Sequence, residues 1–289
     1  GDILLESVSR KKENKNPPLL YNLAELQNEC SKLFKISPDE TLRIVQELYE
    51  KKMVTYPRTD ARVLSTAVAK EIHKNIGGLR GFGPGAAFAA EILNNGSYKG
   101  IAKTRYVNDK QITDHYAIIP TGQGLNNLGS LPPLSAKVYE AIVRRFLGIF
   151  YPPAVYQKFA LCIRVKEERF FASFKVLIEE GYLKVAGKRD GGGTAAAADR
   201  ETGAAEAETG ASANAQKTAD GRSAGKGTGT DPGKGGGNAE SGETELKGDE
   251  AFIKLLNALK KGDKLAVDSY EVKEGETSPP KRYTSGSII

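Results

Sequence analysis

The chain has 289 residues, a net charge of +6, 39% apolar residues and two cysteines. That length allows one large domain or two ordinary ones, and the cysteines, Cys30 and Cys162, show no metal-ligand or CxxC spacing, which excludes a zinc site and a disulfide framework and points to a reducing, cytoplasmic setting. The most apolar stretch, AIVRRFLGIFYPPAVY, is broken by Arg144, Arg145 and a proline pair, so no membrane partner or spanning segment is expected.

The opening DILLESVSRKK reads as a strand, and Pro17 and Pro18 end it. Asn22 with Glu25 forms a capping box for NLAELQNECSKLF, whose Leu23, Leu26, Cys30, Leu33 and Phe34 share one helical face. Ser37, Pro38 and Glu40 start a second helix with an apolar stripe of Leu42, Val45, Leu48 and Tyr49. The pair is a helix-turn-helix candidate, and MVTY after it reads as a short strand. STAVAKEIHKNI, GPGAAFAAEILNN and SAKVYEAIVRRFLGIF follow as helices, the last capped by Ser135, and the neighbours of His73 suggest a packed ring. After Pro152 and Pro153 the period changes to two: Phe159, Leu161, Ile163 and Val165, then Phe170, Ala172, Phe174 and Val176, then DKLAVDSYEV alternate as antiparallel strands.

Charge and composition set one tract apart. From Ala186 to Glu245 there is no Leu, Ile, Val, Met or aromatic residue. Such a tract cannot offset its ordering entropy and is expected to be a disordered, solvated insertion, spanning 186–248. Between Ala186 and Gly248 eight Lys or Arg stand against ten Asp or Glu, a net of −2 that leaves +8 on the remainder. A basic remainder favours a polyanionic partner. The fold class expected is therefore α+β, with a mostly helical, winged-helix-like domain inserted into a β-rich one.

Two segments carry side chains suited to chemistry. In MVTYPRTD, Pro57 stops the chain just after Tyr56 and holds the phenol near Arg58. A phenol titrates near pH 10, so a nucleophilic role at neutral pH needs a cation or base beside it. A guanidinium fork supplies the cation and holds phosphate oxygens. Thr59 and Asp60 would be turn residues, Asp60 orienting Arg58. The plainer reading is a tyrosine packed at a strand end beside an exposed arginine. In QITDHYAIIPT, His115 precedes AIIP, a buried-strand signature that would fix its backbone, and its imidazole is suited to donating to a phosphate or shuttling a proton.

TYPRTD followed by DHYAIIPT, with PPLLYNLAELQ before and SPPKRYTSGSII at the far end, closely resembles the type IA DNA topoisomerases, in particular their bacterial topoisomerase III branch. The resemblance implies an ATP-independent isomerase. In it Tyr56 attacks one DNA strand and becomes linked to the 5′ phosphate, a second strand passes, and the break is resealed. It makes Arg58 the phosphate clamp and His115 a contact to the scissile phosphate region. It also implies residues 1–16 as the first strand of the β-rich arch, 17–150 as the helical catalytic-tyrosine domain, and 151–289 as the rest of the arch. The family's Mg2+ site lies on a Toprim domain, expected before Gly1; no metal ligand is expected here, and the chain reads as a piece of a longer, monomeric protein, inactive alone. The substrate would be single-stranded DNA, with Thr59, Arg62, Lys103, Arg105, Lys110, Arg144 and Arg145 as candidate contacts. The alternatives are a non-enzymatic winged-helix DNA-binding module, or a scaffold built around the long tract.

Overall fold

The structure, a computed structural model, describes residues 3–187, 244–246 and 250–266. A sheet of order β1-β2-β3-β4 is built from β1 (Ile3–Lys15), β2 (Ala154–Val165), β3 (Glu168–Glu179) and the short β4 (Thr244–Leu246). The first three pair antiparallel, and β4 joins β3 in parallel. Between β1 and β2 lie five helices: α1 (Leu23–Phe34), α2 (Pro38–Glu50), α3 (Thr66–Gly78), α4 (Gly83–Asn95) and α5 (Pro133–Gly148). The one-turn α6 (Leu183–Ala186) follows β3, and α7 (Glu250–Ala258) follows β4. The chain is thus a mixed helix-and-sheet protein.

The helix starts follow from their caps. The Asn22 side chain accepts from Glu25 N–H and the Ser37 hydroxyl from Glu40 N–H, so both expected caps form. Ser65 caps α3 by accepting from Val68 N–H. Lys35 ends α1 in the left-handed region at φ 59° and donates its N–H to Ser31 O. Helix α5 is the hub of the helical part: Val138, Tyr139, Ile142, Val143, Phe146 and Leu147 are all fully buried. At about 2 kcal/mol per buried side chain, an upper estimate, that face outweighs the desolvation of the one charged side chain it carries inward, Arg145.

Several expectations are corrected. MVTY forms no strand, because only Val54 bridges to Pro120; AIIP likewise makes isolated bridges, Ile118 to Tyr21 and Pro120 to Val54. Helix α5 begins at Pro133 without a side-chain cap, and Ser135 is buried inside its first turn. His73 is exposed, its ring 6.3 Å from that of Tyr98. The Gly/Ala-rich tract falls on residues outside those described except at its edges, where Ala186 closes α6 and Thr244–Leu246 forms β4. Of DKLAVDSYEV only the first residues are described, with Lys264 bridged to Leu4, and SPPKRYTSGSII lies outside.

The sheet is covered on one face by α7. Phe159 and Phe174 stack at 5.5 Å between centroids, and Leu256 and Val176 complete that small core. Arg10 donates to the carbonyls of Leu256 and Leu259 at 2.9 and 2.5 Å, placing a cation at the negative end of α7.

Candidate active site

The loop after α2 and the segment after the turns that follow α4 are stitched together by threonines. Thr55 N–H donates to Ile119 O, the Thr55 hydroxyl donates to Ala117 O, and Ile119 N–H donates back to the same hydroxyl, all at 2.9–3.0 Å. Thr121 N–H donates to Met53 O at 3.0 Å and its hydroxyl to Lys52 O at 2.6 Å. Four residues on, the Thr59 hydroxyl donates to His115 O at 2.7 Å and accepts from Ala61 N–H at 3.1 Å. On its other side the loop is tied to α1, with Leu23 N–H donating to Thr59 O and the Asn22 amide to Asp60 O.

This frame brings Tyr56 and His115 side by side, ring centroids 4.5 Å apart and planes tilted by 45°. Tyr49 meets Tyr56 edge-on at 5.4 Å. Tyr56 is half-buried and His115 exposed, and both line an open groove of about 540 Å³ with Tyr49, Lys52, Thr55 and Tyr116. Burial raises the phenol pKa of Tyr116. Pro57 is buried, which fixes the turn, while the next residue, Arg58, is exposed. Among the described residues Arg58 forms no ion pair and no bond to Asp60, so Asp60 does not orient it as expected. The phenol and the imidazole thus share one groove, while Arg58, two positions after Tyr56, is exposed and is not among the residues that line it.

The other expected contacts divide. Lys103, Arg105 and Lys110 are exposed on the turns between α4 and His115. Arg62 is half-buried, its guanidinium directed to Leu20 O at 3.3 Å and Glu25 at 3.4 Å. Three expectations are corrected by burial or prior engagement. Thr59 is 7% exposed and spends its hydroxyl on His115 and Ala61, so it holds the loop rather than meeting DNA. Arg144 pairs with Glu140 at 2.7 Å and donates to Val185 O at 2.8 Å. Arg145 is buried, with its guanidinium 4.1 Å over the Tyr21 ring, 3.1 Å from Leu19 O and 3.9 Å from Glu29. That cation sits in the core because its charge is met there, and burial in turn pushes the Tyr21 phenol well above its ordinary range.

Sequence reasoning missed Tyr49 as a groove residue, placing it on the packed face of α2, and missed the two glycines that seat the loop after Thr121. Gly122 has φ +78°, and a Cβ on Gly78 would meet its carbonyl oxygen at 2.1 Å; the TGQG spelling is the signal for that close approach. Among the described residues no group of three or more His, Cys, Asp or Glu side chains could hold a metal, and no helix is long and apolar enough to cross a membrane.

Comparison with known proteins agrees with the two motifs. The family model described as DNA topoisomerase matches residues 2–222. The chain is 31% identical over 99% of its length to DNA topoisomerase 3 of Shouchella clausii, of which it covers 31%, and 30% identical over 94% of its length to DNA topoisomerase 3 of Bacillus subtilis, of which it covers 30%. It thus spans about a third of the length of these curated relatives. Among solved structures, topoisomerase I from Thermotoga maritima is similar with a TM-score of 0.46 and 24% identity, over 67% of this chain and 31% of that one. With the family model matched over most of its length, the chain belongs to the type IA DNA topoisomerase family.

Proposed function

We propose that this chain carries the strand-breaking tyrosine of an ATP-independent DNA topoisomerase, an isomerase acting on a single DNA strand. The observation that supports this most is the pairing of Tyr56 with His115 at 4.5 Å on an open groove, across two segments joined by Thr55 and Thr59. In the step, the Tyr56 oxygen forms a bond to a backbone phosphorus and the bond from that phosphorus to the 3′ oxygen breaks. The phenol proton leaves to a base, and the departing 3′ oxygen takes up a proton. One phosphodiester replaces another, so the step is near balanced and the reverse reaction reseals the strand without ATP.

Arg58, exposed next to the nucleophile, clamps the non-bridging oxygens and offsets the charge that builds at phosphorus. His115 donates to the same phosphate. Lys103, Arg105 and Lys110 extend the phosphate contacts along the strand. Residues 17–150 would form the catalytic unit, winged-helix-like in its paired α1 and α2, inserted into an arch made by 1–16 and 151–289. The Mg2+ and the acid for the 3′ oxygen would come from residues of the longer protein, which would act as a cytoplasmic monomer.

The test is Tyr56→Phe in the longer protein. It should abolish both the covalent DNA adduct and relaxation of supercoiled DNA while leaving oligonucleotide binding within about twofold, since only one hydroxyl is lost. Retained cleavage, or a loss of binding that accounts for all the lost activity, would refute the nucleophile assignment and favour a non-enzymatic DNA-binding module.

A further inference from the structure

The sheet has two unlike faces. One, bearing Phe159, Phe174 and Val176, is closed by α7. Strand register places the other set opposite: Ser7, Cys162 and Phe171 in one row, Ser9, Ala160 and Ser173 in the next, then Lys11, Lys158 and Lys175, then Glu13, Tyr156 and Leu177, where the face closes because Tyr156 is buried in the helical core with Leu177 packed against it. Ser7, Ser9, Lys11, Ala160 and Ser173 are all exposed, and Phe171 stands 79% exposed at the end of this platform.

Three lysines stand directly opposite one another across three strands, a like-charge row that is favourable only where partners offset the repulsion. Two of the heads are already aimed. Lys158 Nζ is 2.7 Å from Glu13, and Lys175 Nζ lies 4.9 Å from the centre of the Tyr156 ring. Among the described side chains, Glu13 stands in the adjoining row, the Glu6 carboxylate lies 3.6 Å from Cys162 Sγ and is paired with Arg169 at 2.8 Å, and Lys15 adds a further cation at the Ala154 position. With strands about 4.8 Å apart the row spans about 10 Å. A stacked nucleic-acid strand advances about 3.4 Å per nucleotide, so two or three phosphates fit along it. The serines and Ala160 keep the surface flat, and an exposed aromatic ring on a flat basic sheet is suited to stacking a base.

We propose that the exposed part of this sheet face, from the lysine row to Phe171, is a second nucleic-acid surface, separate from the groove at Tyr56, on which a single DNA strand lies with phosphates on Lys11, Lys175 and Lys158, the last exchanging Glu13 for a phosphate, and a base against Phe171. The proposal rests on DNA being the partner, as argued above. A duplex would use the lysines but leave the ring idle; a single strand uses both.

The test is binding of a labelled oligothymidylate to the chain by fluorescence anisotropy across a salt series. Replacing all three lysines by glutamine should lower the slope of log affinity against log salt by about 2, at about 0.7 per phosphate contact on a single strand. Replacing them by arginine should keep the slope, which separates lost charge from a disturbed fold. Phe171→Ser should weaken binding about tenfold with the slope unchanged. A glutamine variant with the parent's slope and affinity overturns the proposal, and a silent Phe171→Ser overturns the single-strand assignment. If the parent chain binds no oligonucleotide, the DNA reading itself falls together with this one.

Discussion

Replacing Thr59 by valine isolates what holds the Tyr56 segment against the His115 segment. Valine has nearly the shape of threonine, so the change opens no cavity and removes only the hydroxyl. Two hydrogen bonds go with it, to His115 O at 2.7 Å and from Ala61 N–H at 3.1 Å, at a site 7% exposed. A net hydrogen bond contributes about 1 kcal/mol, and a buried group left unpaired costs about 1–3 kcal/mol. The loss should therefore be about 2–4 kcal/mol, at the low end if the loop shifts enough to let water reach the His115 carbonyl. Thr59→Ser keeps both bonds and deletes one methyl, worth about 0.8 kcal/mol. Urea unfolding of the chain reads this directly: with a slope of about 3 kcal/mol per molar, the valine midpoint should fall by about 1 M at constant slope and the serine midpoint by about a third of that or less. In the longer protein, single-turnover formation of the covalent adduct should slow by about tenfold for each 1.4 kcal/mol of lost alignment, and serine should restore it. Equal shifts for valine and serine would mean that the methyl, not the hydroxyl, holds the loop, and the tether argument would be wrong.

Arg145→Met should cost about 3–5 kcal/mol because Glu29 keeps a buried charge without its cation. Adding Glu29→Gln should recover part of that in thermal melts, while the salt slope of DNA binding stays at the parent value. Gly78→Ala drives a methyl into the Gly122 carbonyl, so a loss of about 3 kcal/mol and a lower melting temperature are expected. Asp109 accepts from the Thr66 N–H at 2.8 Å and hydroxyl at 2.5 Å, which hold its carboxyl below the usual range. A carboxyl lowered in the folded state stabilises above its unfolded value, near about 3.9, and that contribution fades as pH falls through the folded value. Asp109→Ala should therefore lower the melting temperature at neutral pH and converge with the parent in acid; parallel melting curves at every pH would show that the carboxylate contributes nothing. The Cys30 thiol is pushed up to about 12 by burial, so a thiol reagent at mildly alkaline pH should label it only after denaturant is added.

The fold's local elements were legible where one short-range rule decided them. Asn22 and Ser37 announce helix starts because an N-cap needs only a side-chain oxygen and the amide three residues on, and both bonds form. The alternation in 154–179 is likewise local, and it yields β2 and β3. Ser135 failed because a cap is chosen by where the chain can turn as well as by residue type. Pro132 and Pro133 turned it earlier, leaving Ser135 inside the helix. MVTY and AIIP failed because a strand needs a partner over several residues. The two segments touch through Thr55, Ala117 and Ile119, an arrangement of side chain and backbone that period-two reasoning does not describe.

The site shows a different division. Tyr56, Arg58 and His115 were legible as chemistry, since a phenol beside a proline and a guanidinium and a lone imidazole before a buried run are unusual in themselves. What could not be read was which polar residues face inward. Arg144, Arg145 and Thr59 share the composition of a phosphate-binding surface with Lys103, Arg105 and Lys110, yet the first three are consumed by Glu140, Tyr21 with Glu29, and His115 O. Glu140 lies four residues from Arg144, but His115 lies 56 residues from Thr59 and the Leu19 carbonyl that also holds Arg145 lies 126 residues from it, so for Arg145 and Thr59 only the tertiary fold brings the partners near. The consequence reaches the proposed chemistry: a tyrosine that is to bond and release a strand needs an open groove but a fixed position. Tyr56 has both because its segment is tied down on either side by the partly buried Thr55 and the buried Thr59, leaving the phenol, the imidazole and Arg58 at the solvent edge.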